Sequence, residues 1–211
     1  MQVHFKNRQD AGEHLAHNLV TYKDNKEGLI LAIPRGGVVI AHEVAKALHI
    51  PLDIIIPRKI GAPLNPELAI GAVCEDEVYF NESLIEQLEI DKNFLDSELE
   101  KAKKEALRRN ILYRKNKKTI NVNDKIIILI DDGIATGATI LTAIKFLKQQ
   151  NIKKLVVATA VCSLEMAKRI EKEVDEFISL LTPHNMTAIG LYYEEFEQVH
   201  DEEVINILQQ Y

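Results

Sequence analysis

Apolar residues along this chain fall into two rhythms. In one they run four or five together with few breaks: LILAI at 29–33, LDIII at 52–56, IIILI at 126–130, KLVVATAVC at 154–162 and EFISLL at 176–181. Such runs read as strands buried on both faces, the usual state of strands in a parallel sheet. In the other rhythm apolar positions recur every three or four residues. Ala11, Leu15 and Leu19 do so over 10–20, Val38, Ala41, Val44, Ala45 and Leu48 over 37–49, and Ile140, Leu141, Ile144 and Leu147 over 138–150. Ala167, Ile170 and Val174 do so in a helix that Ser163 can cap. These are amphipathic helices with one face turned inward. Strand, helix and strand within about thirty residues is the signature of a βαβ unit and an α/β fold.

Other segments interrupt that alternation. RKIGAPLNP (58–66) has the composition of a loop, and AIGAV with EVYF (70–80) reads as a short hairpin. NESLIEQLE (81–89) reads as a short helix capped by Asn81. A longer helix follows from about Asp91 to Lys115, with a narrow stripe of Leu95, Leu99, Ala102, Ala106 and Tyr113 that could pack on the domain or against a second subunit. The tail holds a loop, AIGLYY, and a last helix from about Asp201 with Val204, Ile207 and Leu208 on one side. The expectation is one α/β domain over 1–211. Its core covers about 28–181, with an inserted segment near 70–120 and a C-terminal appendage at 182–211.

Composition narrows the function classes. The 211 residues are 46% hydrophobic and 27% charged, as in an ordinary water-soluble domain. No apolar run approaches the roughly 20 residues that span a bilayer. MQVHFKNRQDAGEHL at the N-terminus lacks the apolar core of a signal peptide, so the cytoplasm is the expected location. A net charge of −6 argues against nucleic acid as a partner, although 101–119 carries nine Lys or Arg. Cys74 and Cys162 sit in apolar contexts without a CxxC partner and read as buried thiols. His14 and His17 could share a helix face but have no third ligand nearby for a metal.

The stretch IIILIDDGIATGATI (126–140) concentrates the chemistry. A strand buried on both faces can carry charge only where it leaves the sheet, so Asp131 and Asp132 mark its C-terminal end. In open parallel sheets that edge is where ligands bind. The two side chains alternate and need not point the same way. Gly133 and Gly137 permit a tight turn and close approach of a ligand, while Ala135 and Ala138 are too small to obstruct it. Thr136 and Thr139 supply hydroxyls. Backbone amides of the turn and of the following helix start converge on an anion site. Carboxylates beside such a site suit sugar hydroxyls and hydrated Mg²⁺, so the expected ligand is a phosphorylated sugar with a metal.

This stretch resembles the phosphoribosyl pyrophosphate (PRPP) motif of type I phosphoribosyltransferases. PRGG (Pro34 to Gly37) after the first core strand and PRK (Pro57 to Lys59) after the second add to the likeness. Overall the chain is similar to a group of predicted phosphoribosyltransferases sharing PRGG, RKxGAPxNPE and DDGxATGAT, a name that implies a PRPP site and no particular acceptor. The resemblance implies a five-stranded parallel sheet with a hood, flanked by helices, and a homodimer is part of what it implies. It also implies roles. Asp131 and Asp132 would hold the ribose hydroxyls and, through them or water, Mg²⁺. Gly133, Ile134, Ala135, Thr136, Gly137, Ala138 and Thr139 would cradle the 5-phosphate. Arg35, Gly36 and Gly37, in a loop that often has a non-proline cis peptide, would take the pyrophosphate with Arg58 and Lys59.

Geometry agrees with that likeness. With strand two on one side of strand one and strand three on the other, the PRGG and DDGIATGAT loops face each other across one crevice. Two phosphate-binding loops at one crevice suit PRPP, which carries phosphate at both ends. The implied reaction is displacement of pyrophosphate from ribose C1 by a ring nitrogen of a small-molecule base. Residues 60–80 are the candidate lid. The hood would comprise the N-terminal helix and residues 183–200, where Tyr192, Tyr193 and Phe196 could stack on a base or serve as packing. Hypoxanthine-guanine members place a proposed N7 base where this chain has Ala135, so that proton acceptor for hypoxanthine or guanine is missing, as it is in adenine-type members. A PRPP-binding regulator and a PRPP hydrolase are the competing readings.

Overall fold

Five strands that are apolar on both faces form the centre of the molecule. The structure, a computed structural model, describes residues 4–74, 77–115 and 121–211. Strands β1 (Gly28–Ala32), β2 (Leu52–Ile54), β6 (Ile126–Asp131), β7 (Lys154–Val161) and β8 (Glu176–Leu181) make one sheet in the order β2-β1-β6-β7-β8, every pair parallel. Alternation along each strand feeds two cores. Ile30, Ala32, Ile128, Ile130, Val156 and Ala158 point to one face. Leu29, Leu31, Ile127, Leu129, Leu155 and Val157 point to the other. Helices α1 (Arg8–Asn18), α2 (Gly36–Leu48) and α7 (Asp201–Leu208) cover the first face; α5 (Ala138–Leu147) and α6 (Leu164–Ile170) cover the second. The topology has strand two and strand three on opposite sides of strand one, as the sequence led us to expect. Cys74 and Cys162 are both buried, and burial raises the Cys162 thiol to about 12.

RKIGAPLNP is not a loop. Pro57–Ala62 is strand β3, which turns at Pro63 and Leu64 into the long strand β4 (Asn65–Cys74), and β4 pairs in turn with β5 (Glu77–Phe80). This three-stranded antiparallel sheet is separate from the parallel one. The reason for the misreading is composition: Gly61, Pro63 and Pro66 look like loop punctuation, yet they sit at the strand's register shifts and in its turn. Gly61 also lies against the backbone of Pro66, too close for a side chain. The expected hairpin at 70–80 is present as β4 and β5, with residues 75–76 outside the described residues. Among the described residues, 60–74 and 77–80 are therefore strands joined by one turn, with a core of their own.

That core is built with the inserted helices, α3 (Glu82–Gln87) and α4 (Lys92–Arg114). Ile60, Ala62, Ile70 and Val73 pack against Ala102 and Ala106, with Leu95 and Leu99 alongside. The apolar stripe of the long helix is thus covered within the chain and supplies no reason for a second subunit. Exposed charges on α4 pair locally, Lys101 with Glu98 and Arg108 with Glu105, as on a solvated helix. Positions 117 and 118 of the basic stretch lie outside the described residues. No helix among the described residues is long and apolar enough to cross a membrane.

One buried ion pair fixes α4 to the parallel sheet. Arg114 donates from Nε to Asp53 Oδ1 at 3.2 Å and from a terminal nitrogen to the Ile54 carbonyl at 2.7 Å, and it also bonds Asn110. Arg114 and Asp53 are both buried, at 7% exposure. Removing one partner strands the other charge, which costs about 3–5 kcal/mol. Arg114→Ala is expected to lower unfolding stability by that order in urea denaturation. A variant as stable as the parent would mean that the apolar contacts alone hold α4.

Candidate active site

The crevice lies at the C-terminal ends of β1 and β6. After β1 the chain passes a cis Pro34–Arg35 peptide and enters α2 at once with Gly36 and Gly37. These glycines are there for space. A Cβ on Gly36 would stand 1.9 Å from Asp132 Oδ2, and one on Gly37 would stand 2.9 Å from the Ile130 carbonyl and 3.3 Å from Asp131 Oδ1. The PRGG turn and the acidic strand end are therefore in direct contact.

The two aspartates do diverge. Asp131 Oδ1 accepts from the Asp132 backbone N–H at 2.9 Å. Burial, and then the neighbouring Asp132 carboxylate, hold the Asp131 carboxyl well above the usual carboxylate range. Asp132 turns the other way, toward the N-terminal helix. Its Oδ2 accepts from Arg8 Nε at 2.7 Å, and the two side chains are only 14% and 11% exposed. Arg8 also donates to the Glu197 carbonyl at 2.8 Å and lies flat on the Phe196 ring, 3.8 Å from its centroid. Arg8 is the residue that sequence reasoning missed. An arginine at the start of a polar helix carries no local mark, and its partner lies 124 positions away.

The hood closes the same strand end. Phe5 N–H donates to the Tyr192 carbonyl and Glu194 N–H to the Phe5 carbonyl, so the N-terminal segment pairs with residues 192–194. Tyr193 donates its hydroxyl to the Asp132 carbonyl at 2.7 Å, and burial raises its own proton affinity. Ile189 packs against Gly133, where a Cβ would be 2.4 Å away. Tyr192 and Tyr193 are buried, and Arg8 covers a face of Phe196. The two tyrosines are packed in the core, whereas Phe196 stays exposed beside Tyr193.

The DDGIATGAT loop divides into anchors and open positions. Ile134 is an anchor: its side chain is buried, its N–H goes to the Val161 carbonyl and its carbonyl takes the Ser163 N–H. It has no amide left for a phosphate, which removes it from the expected set. Gly137 caps α5 with φ +72°, and Met166 occupies the space a side chain would need. Ala135, Thr136 and Thr139 are exposed, Ala138 is half-buried, and the first-turn amides of α5 have no intrahelical carbonyl to bond. That is a helix start with open amides, preceded by a tight turn, a geometry able to take an anion.

The expected cationic side is more dispersed. Arg35 reaches Asp201 at 3.7 Å, beside the Tyr113 hydroxyl, which donates to the same carboxylate oxygen at 2.6 Å. Arg58 and Lys59 lie on β3, and a strand turns successive side chains to opposite faces. Arg58 pairs across with Val73 of the core under α4, whereas Lys59 pairs with Ala72, beside α5. They cannot act as one basic pair on a common ligand face. Among the described residues no three His, Cys, Asp or Glu side chains are grouped to hold a metal.

If the Arg8–Asp132 pair holds the hood on the crevice, the two residues should couple. Arg8→Ala, Asp132→Asn and the double variant, compared by urea unfolding, are expected to be non-additive by about 1–3 kcal/mol. Additive effects would mean that the contact contributes nothing beyond its parts.

Comparison with known proteins agrees with this geometry. A family model described as the phosphoribosyl transferase domain matches residues 3–195. Two curated proteins of Mycobacterium tuberculosis, from strains CDC 1551 and H37Rv and each named "Putative phosphoribosyl transferase", are 37% identical over 205 residues. That alignment covers 97% of this chain and 46% of each relative, so the chain spans about half the length of the curated proteins it matches. The crystal structure of TT1426 from Thermus thermophilus is similar over 99% of both chains, with a TM-score of 0.89 and 34% identity. AQ2163 of Aquifex aeolicus shares the fold at a TM-score of 0.53 and 13% identity, over 87% of this chain and 78% of its own. With its five-stranded parallel sheet, its glycine turn against an acidic strand end and these relatives, the chain belongs to the phosphoribosyl transferase domain family.

Proposed function

We propose that the chain is a Mg²⁺-dependent phosphoribosyltransferase that moves the 5-phosphoribosyl group of PRPP to a nitrogenous base and releases pyrophosphate. The observation that carries this reading is the contact of Gly36 with the Asp132 carboxylate, which brings both anion-binding turns and the acidic pair to one crevice. A ligand with phosphate at each end and hydroxyls between them matches that order. The amides of Gly133 and of Ala135 to Thr139 take the 5-phosphate. Asp131 and the Asp132 oxygen that Arg8 does not hold accept from the ribose hydroxyls. Arg35 and the amides of Gly36 and Gly37 meet the pyrophosphate.

The donor set fits Mg²⁺ of a particular kind. A pair of carboxylates with no third such ligand grouped beside it among the described residues is too little for an all-protein cage, but Mg²⁺ commonly keeps its waters and binds through one or two carboxylates and the substrate's phosphates. When bound, the ion neutralises charge on the departing pyrophosphate. The chain's own residues do the rest. They hold C1 so that a nitrogen lone pair forms the C1–N bond as the C1–O bond breaks. The pyrophosphate leaves with the electron pair through an oxocarbenium-like state. The hood, tied down by Arg8 and Tyr193, excludes water from that centre. Ala135 offers no proton acceptor, so the base's proton leaves by another route.

Pyrophosphate release from PRPP and Mg²⁺, measured over a panel of purines, pyrimidines and no acceptor, tests the reading. Release is expected with one base class and is expected to fall about a hundredfold in Asp131→Asn and Asp132→Asn proteins that remain folded at the assay temperature. Release independent of any base would make the protein a hydrolase. A protein that binds PRPP and releases nothing would be a regulator, and the transferase reading would fail.

A further inference from the structure

The inserted helix α4 carries a charge where its pattern calls for an apolar residue. Its inward stripe runs through Leu95, Leu99, Ala102, Ala106 and Tyr113, and the next position at that spacing after Ala106 is Arg109. The Arg109 side chain is 26% exposed, against 56% for its neighbour Arg108. Arginine on a helix's packing stripe is costly unless the surface it meets is polar. The surface here is the seam between the three-stranded sheet and the crevice. Tyr113, one turn further along the same face, hydrogen-bonds Asp201, which Arg35 of the PRGG turn also approaches. Arg58 comes from β3 on the side that faces α4. Burial pushes Arg58 below its ordinary value, and the positive charge of Arg109 adds to that shift.

Guanidinium groups from the PRGG turn, from β3 and from α4 thus lie on three elements that meet here. Arg58 faces α4, and Arg35 approaches the Asp201 that Tyr113 of α4 bonds, with Glu105 the other carboxylate beside Arg109. Glu105 is already shared: Arg108 donates two bonds to it and Arg109 one at 2.7 Å, which together draw its carboxyl down to about 2. Arg35 is only loosely engaged, at 3.7 Å and with about a third of its side chain exposed. Such long, part-exposed pairs contribute little and exchange readily for a phosphate oxygen. Crowded, half-buried cations repel one another, and a polyanion bridging them would relieve that repulsion. The buried Arg114–Asp53 pair holds α4 against the end of β2, so Arg109 is presented from a fixed helix rather than a loop.

We infer that Arg109, with Arg35 and Arg58, binds the pyrophosphate group of the substrate and product, so that the inserted helix completes the anion site. This rests on the phosphoribosyltransferase reading above. The test is calorimetric binding of inorganic pyrophosphate, with Mg²⁺, to the wild type, Arg109→Gln, Arg109→Lys and Arg108→Gln, with ribose 5-phosphate as the second probe. Arg109→Gln is expected to weaken pyrophosphate binding about tenfold or more, the size of one lost charge-assisted bond, and to leave ribose 5-phosphate unchanged. Arg109→Lys should recover part of the loss. Arg108→Gln removes a partner of the same Glu105 from the solvent side and should bind pyrophosphate as the wild type does. Equal losses in the two glutamine variants, or none in either, would overturn the assignment while leaving the transferase reading intact. A wild type that binds neither probe would remove the reading itself, and Arg109's role with it.

Discussion

The ion pair between Arg8 and Asp132 is the contact on which the arrangement of the crevice depends. Asp132 follows directly on β6, the central strand of the sheet, and a carboxylate there must be neutralised, solvated or used. Arg8 arrives from the first turn of the N-terminal helix and meets it at 2.7 Å. The same guanidinium bonds the Glu197 carbonyl and lies on Phe196, so one side chain joins the start of the chain, the hood and the acidic strand end. Gly36 must then be a glycine, because the carboxylate that Arg8 holds occupies the place of its Cβ. Tyr193 grips the backbone of the same aspartate. A site built around a carboxylate fixed in this way is pre-organised, and its groups need not reorient when charge develops in a ligand.

Fixing Asp132 also separates the roles of the two neighbouring acids. One has an arginine within hydrogen-bonding distance. The other bonds to the backbone between them and is kept high by burial. Two carboxylates adjacent in sequence therefore meet different surroundings, and only the tertiary fold makes the difference. In the proposed reading the pair serves sugar hydroxyls on one side while Asp132 stays tied to Arg8 and Tyr193 on the other.

The three-stranded sheet and α4 stand beside the crevice, where Tyr113 of α4 and Arg35 of the PRGG turn meet at Asp201. They are assembled as a small layered unit with its own core, attached to the parallel sheet by α5 on one face and by the buried Arg114–Asp53 pair at the end of β2. This construction gives the chain rigid elements at the place where a loop would otherwise stand. It also explains why Arg58 and Lys59 part company: a loop could have presented both to one ligand, but a strand sends one toward α4 and the other toward α5.

Much of this was written locally. Unbroken apolar runs identify the five parallel strands because a strand covered on both faces has no polar side to show, and the helices between them follow from their three-to-four spacing. The acidic strand end and its glycine turn were legible for the same reason, since charge can begin only where the sheet stops. The tertiary structure alone decided the rest. That RKIGAPLNP is a strand depends on pairing with β4, which overrides the loop-like content of glycine and proline. That Ile134 is an anchor depends on β7 drawing its amide away. That Phe196 is a platform for Arg8, and Arg8 the partner of Asp132, depends on bringing together residues 124 and more positions apart, a relation no window along the chain contains.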